Sequence, residues 1–442
     1  MQKTFHFVNG IGLNQRGKRE SRRHVMMGKN AGKTIHRPSR LVKRDTSRCE
    51  RVEAVMSIGA ARDTKWDTPL DHATSSIRAS SRVSASSFLN ISFPVTLTRD
   101  YAEVISDSFY CNVALMQACN ELFLRGGESS PIAMYYLSKS LAQVRERLES
   151  SDALSDATVC IVMSLVTQEQ VRNQHAAARI HMDGLARMIE LRGGLDSLEG
   201  SLPVLLKACK TDIMLALQYE ETPRFVRNKM PQIRSLFQSK FKTVDFDSTL
   251  TSIQHNNIEP YLFEILGDII NVTSLFNDRQ PSQEVDLFSF QEIFVSISYS
   301  LIEFDSMQDR KELSTTHASY HVGLTIFMMT FFLQYGRQRI MKFESITQRL
   351  RTVIERGLMD DKKDLMLWLM MMGGIWMLDD ADVNWLAPKV RCLAQEMGLR
   401  SWDEVIIHII KYPWIHDLHD EPGGIFWDRV HQLAERPVDL NL

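Results

Sequence analysis

Cysteine is sparse in this chain and never clustered. The 442 residues contain six, Cys49, Cys111, Cys119, Cys160, Cys209 and Cys392, and none lies within three residues of another. That spacing excludes a disulfide framework, in which close bridges staple a small secreted core. It also excludes a binuclear zinc cluster within these residues. Such a cluster needs six cysteines in roughly thirty residues, because each zinc takes four thiolates with two shared. The first sixty residues hold only Cys49, and no Cys2His2 spacing is present. Most of the cysteines fall in apolar helical patterns, where a thiol acts as a small hydrophobe. A reduced, intracellular chain is expected.

Long apolar runs are lacking too. The longest are Val322–Leu333 and Leu365–Leu378, whereas a bilayer span takes about 18–20 residues. They read as buried helices, and no membrane association is expected. Met1–Gly10 carries no apolar stretch of the secretory type, and the next forty residues are basic. Nor is there a convincing run of alternating strands.

What is present is a charge asymmetry hidden by a net charge of −2. Residues 1–51 contain 14 Lys/Arg against 3 Asp/Glu, while the remaining residues contain 38 against 51. A basic arm on an acidic body suits contact with nucleic acid or an import receptor. The body itself should be repelled by phosphate. The arm residues are Arg16, Lys18, Arg19, Arg22, Arg23, Arg37, Arg40, Lys43 and Arg44. They can meet phosphates without reading sequence, or serve as a nuclear import signal. A merely solvated tail is the plainer alternative. A basic-zipper reading fails because no leucine heptad follows and Gly28, Gly32 and Pro38 interrupt the helix.

The chain divides by composition into a basic, partly disordered arm (1–60), a Ser/Thr-rich linker (61–98) and a helical domain (99–442). The linker has too few large apolar groups to offset its ordering entropy. From about Arg99 apolar residues recur every three or four positions. Helices are expected over Tyr101–Leu124, Ile132–Leu148, a segment capped by Ser155 or Asp156, Ala176–Leu191 and Leu202–Tyr219. More follow at Pro260–Phe276, Leu287–Phe304, His317–Tyr335, Ile346–Arg356, Asp361–Leu378, Asn384–Gly398, Trp402–Ile410 and Ile425–Ala434. The expected fold class is all-α, with antiparallel helix pairs stacked as a solenoid or bundle.

Several patterns resemble enzyme motifs and fail on spacing. Gly28-Lys-Asn-Ala-Gly-Lys-Thr34 has three residues between its glycines, where a phosphate loop needs four to wrap a β-phosphate. Gly12 to Gly17-Lys18 has the spacing but ends in Arg19, which cannot ligate magnesium. Asp379, Asp380 and Asp382 are similar to the magnesium clusters of helical terpene cyclases. Asn277-Asp278 with Ser282 and Glu284 echoes those enzymes' second motif, in the wrong spacing and order. A solvated loop after a buried helix is the preferred reading. His416-Asp417 with His419-Asp420, and His317 with His321, have spacings that zinc accepts, but the latter lack a metalloprotease glutamate. No catalytic residue, cofactor site or metal site is expected.

Residues 175–195 carry the most specific pattern. His181, Gly184, Leu185, Met188, Ile189, Arg192, Gly193, Gly194 and Leu195 resemble the signature of the fungal-specific transcription factor domain found behind Zn2Cys6 clusters. Asp212, after Leu205-Leu206, resembles the family's acidic position on the next helix. Leu367-Trp368 to Gly373-Gly374, Ser401-Trp402, Trp414 and Trp427 resemble its C-terminal Trp-bearing helices. Phe5–Asn9 with Arg22–Met26 is similar to the leader of members without the cluster. On residues alone, His181, Leu185 and Met188 share one helix face, with Gly184 beside them for close helix approach. His181 then reads as a core or interface histidine, and the Met- and aromatic-rich 322–378 region as core.

The resemblance implies a nuclear transcription regulatory protein, frequently controlling metabolic or secondary-metabolite gene clusters. Without the cysteine cluster it should act through protein partners, such as a second copy or a zinc-cluster relative. Any DNA contact by this chain alone should be non-specific. Two alternatives stand beside this: a helical magnesium-dependent enzyme, and a helical scaffold with no transcriptional role.

Overall fold

A computed structural model describes residues 131–240, 258–277, 287–308, 314–333, 341–358, 362–377 and 380–435. The basic arm, the Ser/Thr-rich linker and the expected Tyr101–Leu124 helix lie outside them. Among the described residues there are only helices and no strand, so the all-α expectation holds.

The chain runs α1 (Pro131–Leu148), α2 (Asp156–Val171), α3 (His175–Arg192), α4 (Leu202–Tyr219), α5 (Met230–Lys240), α6 (Pro260–Asn277) and α7 (Leu287–Gln308). It continues through α8 (Thr315–Leu333), α9 (Glu344–Arg356), α10 (Lys363–Trp376), α11 (Asp380–Glu396), α12 (Trp402–Ile409) and α13 (His416–Glu435). Two short 3-10 turns, Ser151–Leu154 and Leu195–Ser201, lead into α2 and α4.

Local chemistry sets the ends. The Ser155 hydroxyl accepts from Thr158 N at 3.3 Å and opens α2. The residues Arg172–Gln174 turn the chain from α2 into α3, with Asn173 in the left-handed region at φ 53°. So short a connection lays neighbouring helices antiparallel. α3 stops at Gly193, whose φ of 111° suits a residue without Cβ. Gly194 N–H then returns to Ile189 O at 3.0 Å. α12 begins with a capping box in which Ser401 and Glu404 satisfy each other's backbone N–H.

Three helices are apolar around their whole circumference, the mark of interior elements. α2 buries most of its residues between Ala157 and Gln170. α8 is buried throughout 321–330, and α10 buries every residue from Leu365 to Gly374. α2 packs along α3 and α4, and α4 in turn packs on α7. α8 packs on α9 and α10, and α10 carries α11, α12 and α13. The amphipathic α9 buries Ile346, Leu350, Val353 and Ile354 and faces solvent elsewhere.

Two glycines let the C-terminal helices close on each other. A Cβ on Gly374 would fall 2.1 Å from a Phe426 ring carbon, and one on Gly323 2.4 Å from the Trp368 ring. The fully buried Trp368 donates its indole N–H to Pro413 O at 3.0 Å.

The structure departs from the sequence expectations at three places. α5 was not expected, because 220–259 is polar and its apolar positions are few. Met230 and Ile233 nevertheless dock against the core. α13 starts at His416 rather than Ile425, although Pro422 and two glycines lie inside it. Burial of His419 together with the Gly423–Trp402 approach overrides the local loop signal. Asp380 and Asp382 open α11 rather than sitting in a solvated loop; acidic side chains suit the positive end of a helix.

Candidate functional site

The signature residues lie on α3 and α4; both helices pack on α2, and α4 packs on α7 as well. Leu185 and Met188 are fully buried, and His181 is buried beside them on α3. Burial pushes the His181 ring down to about 4, so the imidazole is neutral near pH 7. Gly184 is half-buried on the same helix. The Arg192 guanidinium, in the last turn of α3, donates to Asp156 Oδ1 in the first turn of α2 at 2.5 Å. Each charge also faces the favourable pole of its helix.

Asp212 is the hub of the next layer. Its Oδ1 accepts from Arg224 N at 2.9 Å and its Oδ2 from Phe225 N at 2.8 Å. The Tyr299 hydroxyl of α7 donates to Oδ2 at 3.0 Å. Burial raises this carboxyl to about 6, against the downward pull of those donors. The loop after α4 is thereby pinned across the body. Arg224 reaches Asp183 and Glu221, and Arg227 bridges Glu199 and Glu292 with Nη1 and Nε at 2.7 and 2.5 Å. Lys229 N donates to Ser296 Oγ at 2.9 Å. Arg224 and Tyr299 were not legible as partners of Asp212, from which they lie 12 and 87 residues away, nor Arg227 as the partner of Glu199 and Glu292, 28 and 65 residues away. The signature is a packing and hydrogen-bonding device.

The metal-like patterns resolve differently. Asp382 pairs with Arg351, and Asp380 with Arg429. Among the described residues, no group of three or more His, Cys, Asp and Glu side chains is placed to hold a metal ion; Asp379 lies outside them. The Ile415 N–H donates to His419 Nδ1 at 3.0 Å, so the ring proton sits on Nε2. That Nε2 is 2.9 Å from Thr330 Oγ1, whose own proton goes to Phe327 O. Both nitrogens of His419 are thus occupied, and burial lowers its pKa to about 3. His416 instead pairs with Asp420 at 3.1 Å on the surface. His317 accepts from Glu259 N at 3.1 Å, and His321 Nε2 donates to Leu301 O at 2.9 Å.

A cleft of about 260 Å³ opens between the C-terminal end of α4 and helices α7, α8 and α9. Leu301, Ile302, Val322 and Ile346 give it apolar walls. At its rim Arg349 donates to Asp305 Oδ2 at 2.6 Å and to Glu220 Oε1 at 3.0 Å. Two acids on one cation leave the rim net negative.

These features define an all-helical domain whose buried polar groups serve its own architecture. The model of the fungal specific transcription factor domain matches residues 71–402, and the chain belongs to that family. Neither the comparison with curated proteins nor that with solved structures gives a match. No helix among the described residues is long and apolar enough to cross a membrane. The basic-arm residues Arg16 to Arg44 lie outside the described residues.

Proposed function

We propose that this fungal-type transcription regulator works in the nucleus through protein partners, and that it controls genes of a metabolic or secondary-metabolite cluster. The family match over residues 71–402 is the observation that carries the reading. The first sixty residues hold one cysteine, so these residues contain no binuclear zinc cluster to read a DNA site. Sequence selection then falls to a partner, either a second copy or a zinc-cluster relative. The arm from Arg16 to Arg44 supplies import recognition or sequence-independent phosphate contact. The acidic balance of the remaining residues limits contact with DNA to that arm.

The enzyme alternative gains no support. Asp380 and Asp382 are neutralised by arginines, and the signature carboxylate Asp212 is spent on backbone N–H groups. The test is chromatin occupancy of a tagged full-length chain, with transcript levels of neighbouring genes after deletion. Occupancy that disappears when a zinc-cluster partner is removed fits the proposal. A strictly cytosolic chain whose deletion leaves those transcripts unchanged would count against it.

A further inference from the structure

The cleft between α4, α7, α8 and α9 is lined by groups that accept hydrogen bonds and have already given their protons away. The Ser306 hydroxyl donates to Ile302 O at 3.1 Å, and the Thr325 hydroxyl to His321 O at 2.8 Å. Both oxygens keep their lone pairs. The buried His321 ring gives its Nε2 proton to Leu301 O at 2.9 Å, which makes Nδ1 an acceptor. Of the two hydroxyls still uncommitted among the described lining residues, Thr222 is exposed and the Ser345 Oγ is buried without a hydrogen-bond partner. A donor reaching Ser345 from the cleft would remove the cost of that orphaned oxygen.

The electrostatic sign agrees with the hydrogen bonding. Arg349 spends Nη1 on Asp305 Oδ2 at 2.6 Å and Nε on Glu220 Oε1 at 3.0 Å, and each carboxylate retains a second oxygen. Glu221, on the same lining, is held by Arg224 and His175. The last turns of α4 and α7 supply Leu217 and Asp305 to the cleft and bring two negative helix poles with them. The first turn of α9, with Ser345, brings one positive pole against those two.

We propose that this cleft binds a small primary amine, as its ammonium, carrying a short apolar body. An ammonium has three donors and no acceptor, the complement of this lining. Its charge lies against the free oxygens of Asp305 and Glu220, and its body rests on Leu301, Ile302, Val322 and Ile346. A carboxylate or phosphate in the same place would face lone pairs and like charge. A bare inorganic cation would bury nothing on the apolar walls. At about 260 Å³ the cleft is just smaller than ordinary ligand pockets of roughly 300–1,000 Å³, so the occupant is no larger than one aromatic ring with a short tail. Such a site gives the domain a small-molecule input separate from its partners. It rests on the cleft, is tested by binding, and stands whether or not the partner reading does.

The experiment is a thermal unfolding titration of the full-length chain with phenethylamine hydrochloride near pH 7. Phenethyl alcohol keeps the body without the charge, phenylacetate reverses the charge, and sodium chloride matches the ionic strength. Binding to the folded state raises Tm by mass action, by about 2 °C at roughly ten times half-saturation. A saturable rise with phenethylamine, about tenfold weaker or more with the alcohol and absent with phenylacetate and chloride, supports the site. The double variant Asp305→Asn, Glu220→Gln should weaken half-saturation about tenfold or more. Arg349→Gln removes the guanidinium that competes for the two carboxylates, and it should tighten the response. Each variant is compared with its own Tm in chloride, so a loss of stability is not counted as a loss of binding. Tightening in Arg349→Gln is an outcome that mere damage to the fold would not produce. A parent whose Tm in phenethylamine follows the chloride curve, an equal or stronger response to the alcohol or phenylacetate, an undiminished response in the double variant, or a weaker one in Arg349→Gln would overturn the proposal.

Discussion

The carboxylate of Asp212 and the hydroxyl of Tyr299 meet 3.0 Å apart in the interior, joining α4 to α7. The same carboxylate takes the N–H groups of Arg224 and Phe225, so one side chain registers two helices and a loop. Each buried donor left without an acceptor costs about 1–3 kcal/mol. Asp212→Ala strands three of them and should lose about 3 kcal/mol or more in urea unfolding. Tyr299→Phe removes one hydroxyl and should lose only about 1 kcal/mol. Equal losses for the two variants would show that Asp212 is not the hub.

Two buried histidines and one buried aspartate make opposite contributions to the pH dependence of stability. Burial lowers His181 to about 4 and His419 to about 3, both from 6.5. A histidine lowered by folding stabilises fully above its unfolded value, and that contribution is lost as pH falls through the folded value. Asp212, raised from 3.8 to about 6, runs the other way. Its contribution is present below 3.8 and lost as pH rises through 6. Between about pH 4 and 6 the unfolded chain therefore holds two extra histidine protons and the folded chain one extra aspartate proton. These three groups alone leave one proton, about 1.4 kcal/mol lost per unit of acidification; His321, also lowered, adds to it, and Glu169 and Asp268, raised by burial, oppose it. The single-site test is therefore the sharper one: His181→Asn should flatten the dependence of the urea midpoint on pH by about one proton. An unchanged slope in that variant contradicts the assignment.

Glycine positions separate packing from flexibility. Gly374→Ala would drive a methyl to 2.1 Å from the buried Phe426 ring, where neither helix can yield without cost. Overpacking of that kind costs about 1–3 kcal/mol. Gly200→Ala has nothing within 4 Å of its Cβ and should change Tm little. If both behave alike in thermal unfolding, the α10–α13 contact is looser than described.

Much of this architecture is written in local periodicity. The interior helices α2, α8 and α10 are continuous apolar stretches, and the α3 stop at Arg192-Gly193-Gly194 is a turn only glycine takes easily. The expected bounds of α4 agree with the structure at both ends because Pro203 and the residues around Glu220 punctuate it. α5 and the first two turns of α13 were illegible for the opposite reason. Their apolar positions are few, Pro422 and Gly423 signal a break, and only tertiary burial of His419 and the Trp402 contact makes the helix form. Of the site, the signature residues were visible as a pattern, but their roles were not. The α4–α7 connection runs between residues far apart in sequence. Asp380 and Asp382 were visible as acids, while their arginine partners on α13 and α9 were not.

Thiol labelling should discriminate sharply among the described cysteines. Cys160 and Cys209 are buried and Cys392 is exposed. Burial raises both interior thiols, Cys209 to about 12, which suppresses the reactive thiolate as well as access. Native-state alkylation read by peptide mass spectrometry should modify Cys392 and spare the other two until denaturant is added. Rapid native labelling of Cys209 would mean that the α4–α7 junction opens readily, against the tight Asp212–Tyr299 contact.

The last prediction concerns the acids that most resemble a magnesium site. Arg351 donates to Asp382 and also lies 4.6 Å over the Trp385 ring, so its guanidinium is held twice. Asp382→Asn removes a partly exposed ion pair but keeps a polar group at the start of α11, and such pairs contribute about 0–1 kcal/mol. Arg351→Ala loses the pair and the stacking together, and should cost about 1 kcal/mol more than Asp382→Asn. Asp380→Asn, whose pair with Arg429 is more exposed, should be near neutral in Tm. If these carboxylates instead existed to hold a cation, the ordering would invert. Neutralising them would raise stability in chelator by relieving repulsion, and millimolar magnesium would stabilise the parent but neither variant. Thermal unfolding of the parent and the three variants, with and without magnesium, decides between the two: an unchanged parent and the order Arg351→Ala, Asp382→Asn, Asp380→Asn from greatest loss to least is what the arginine partners require.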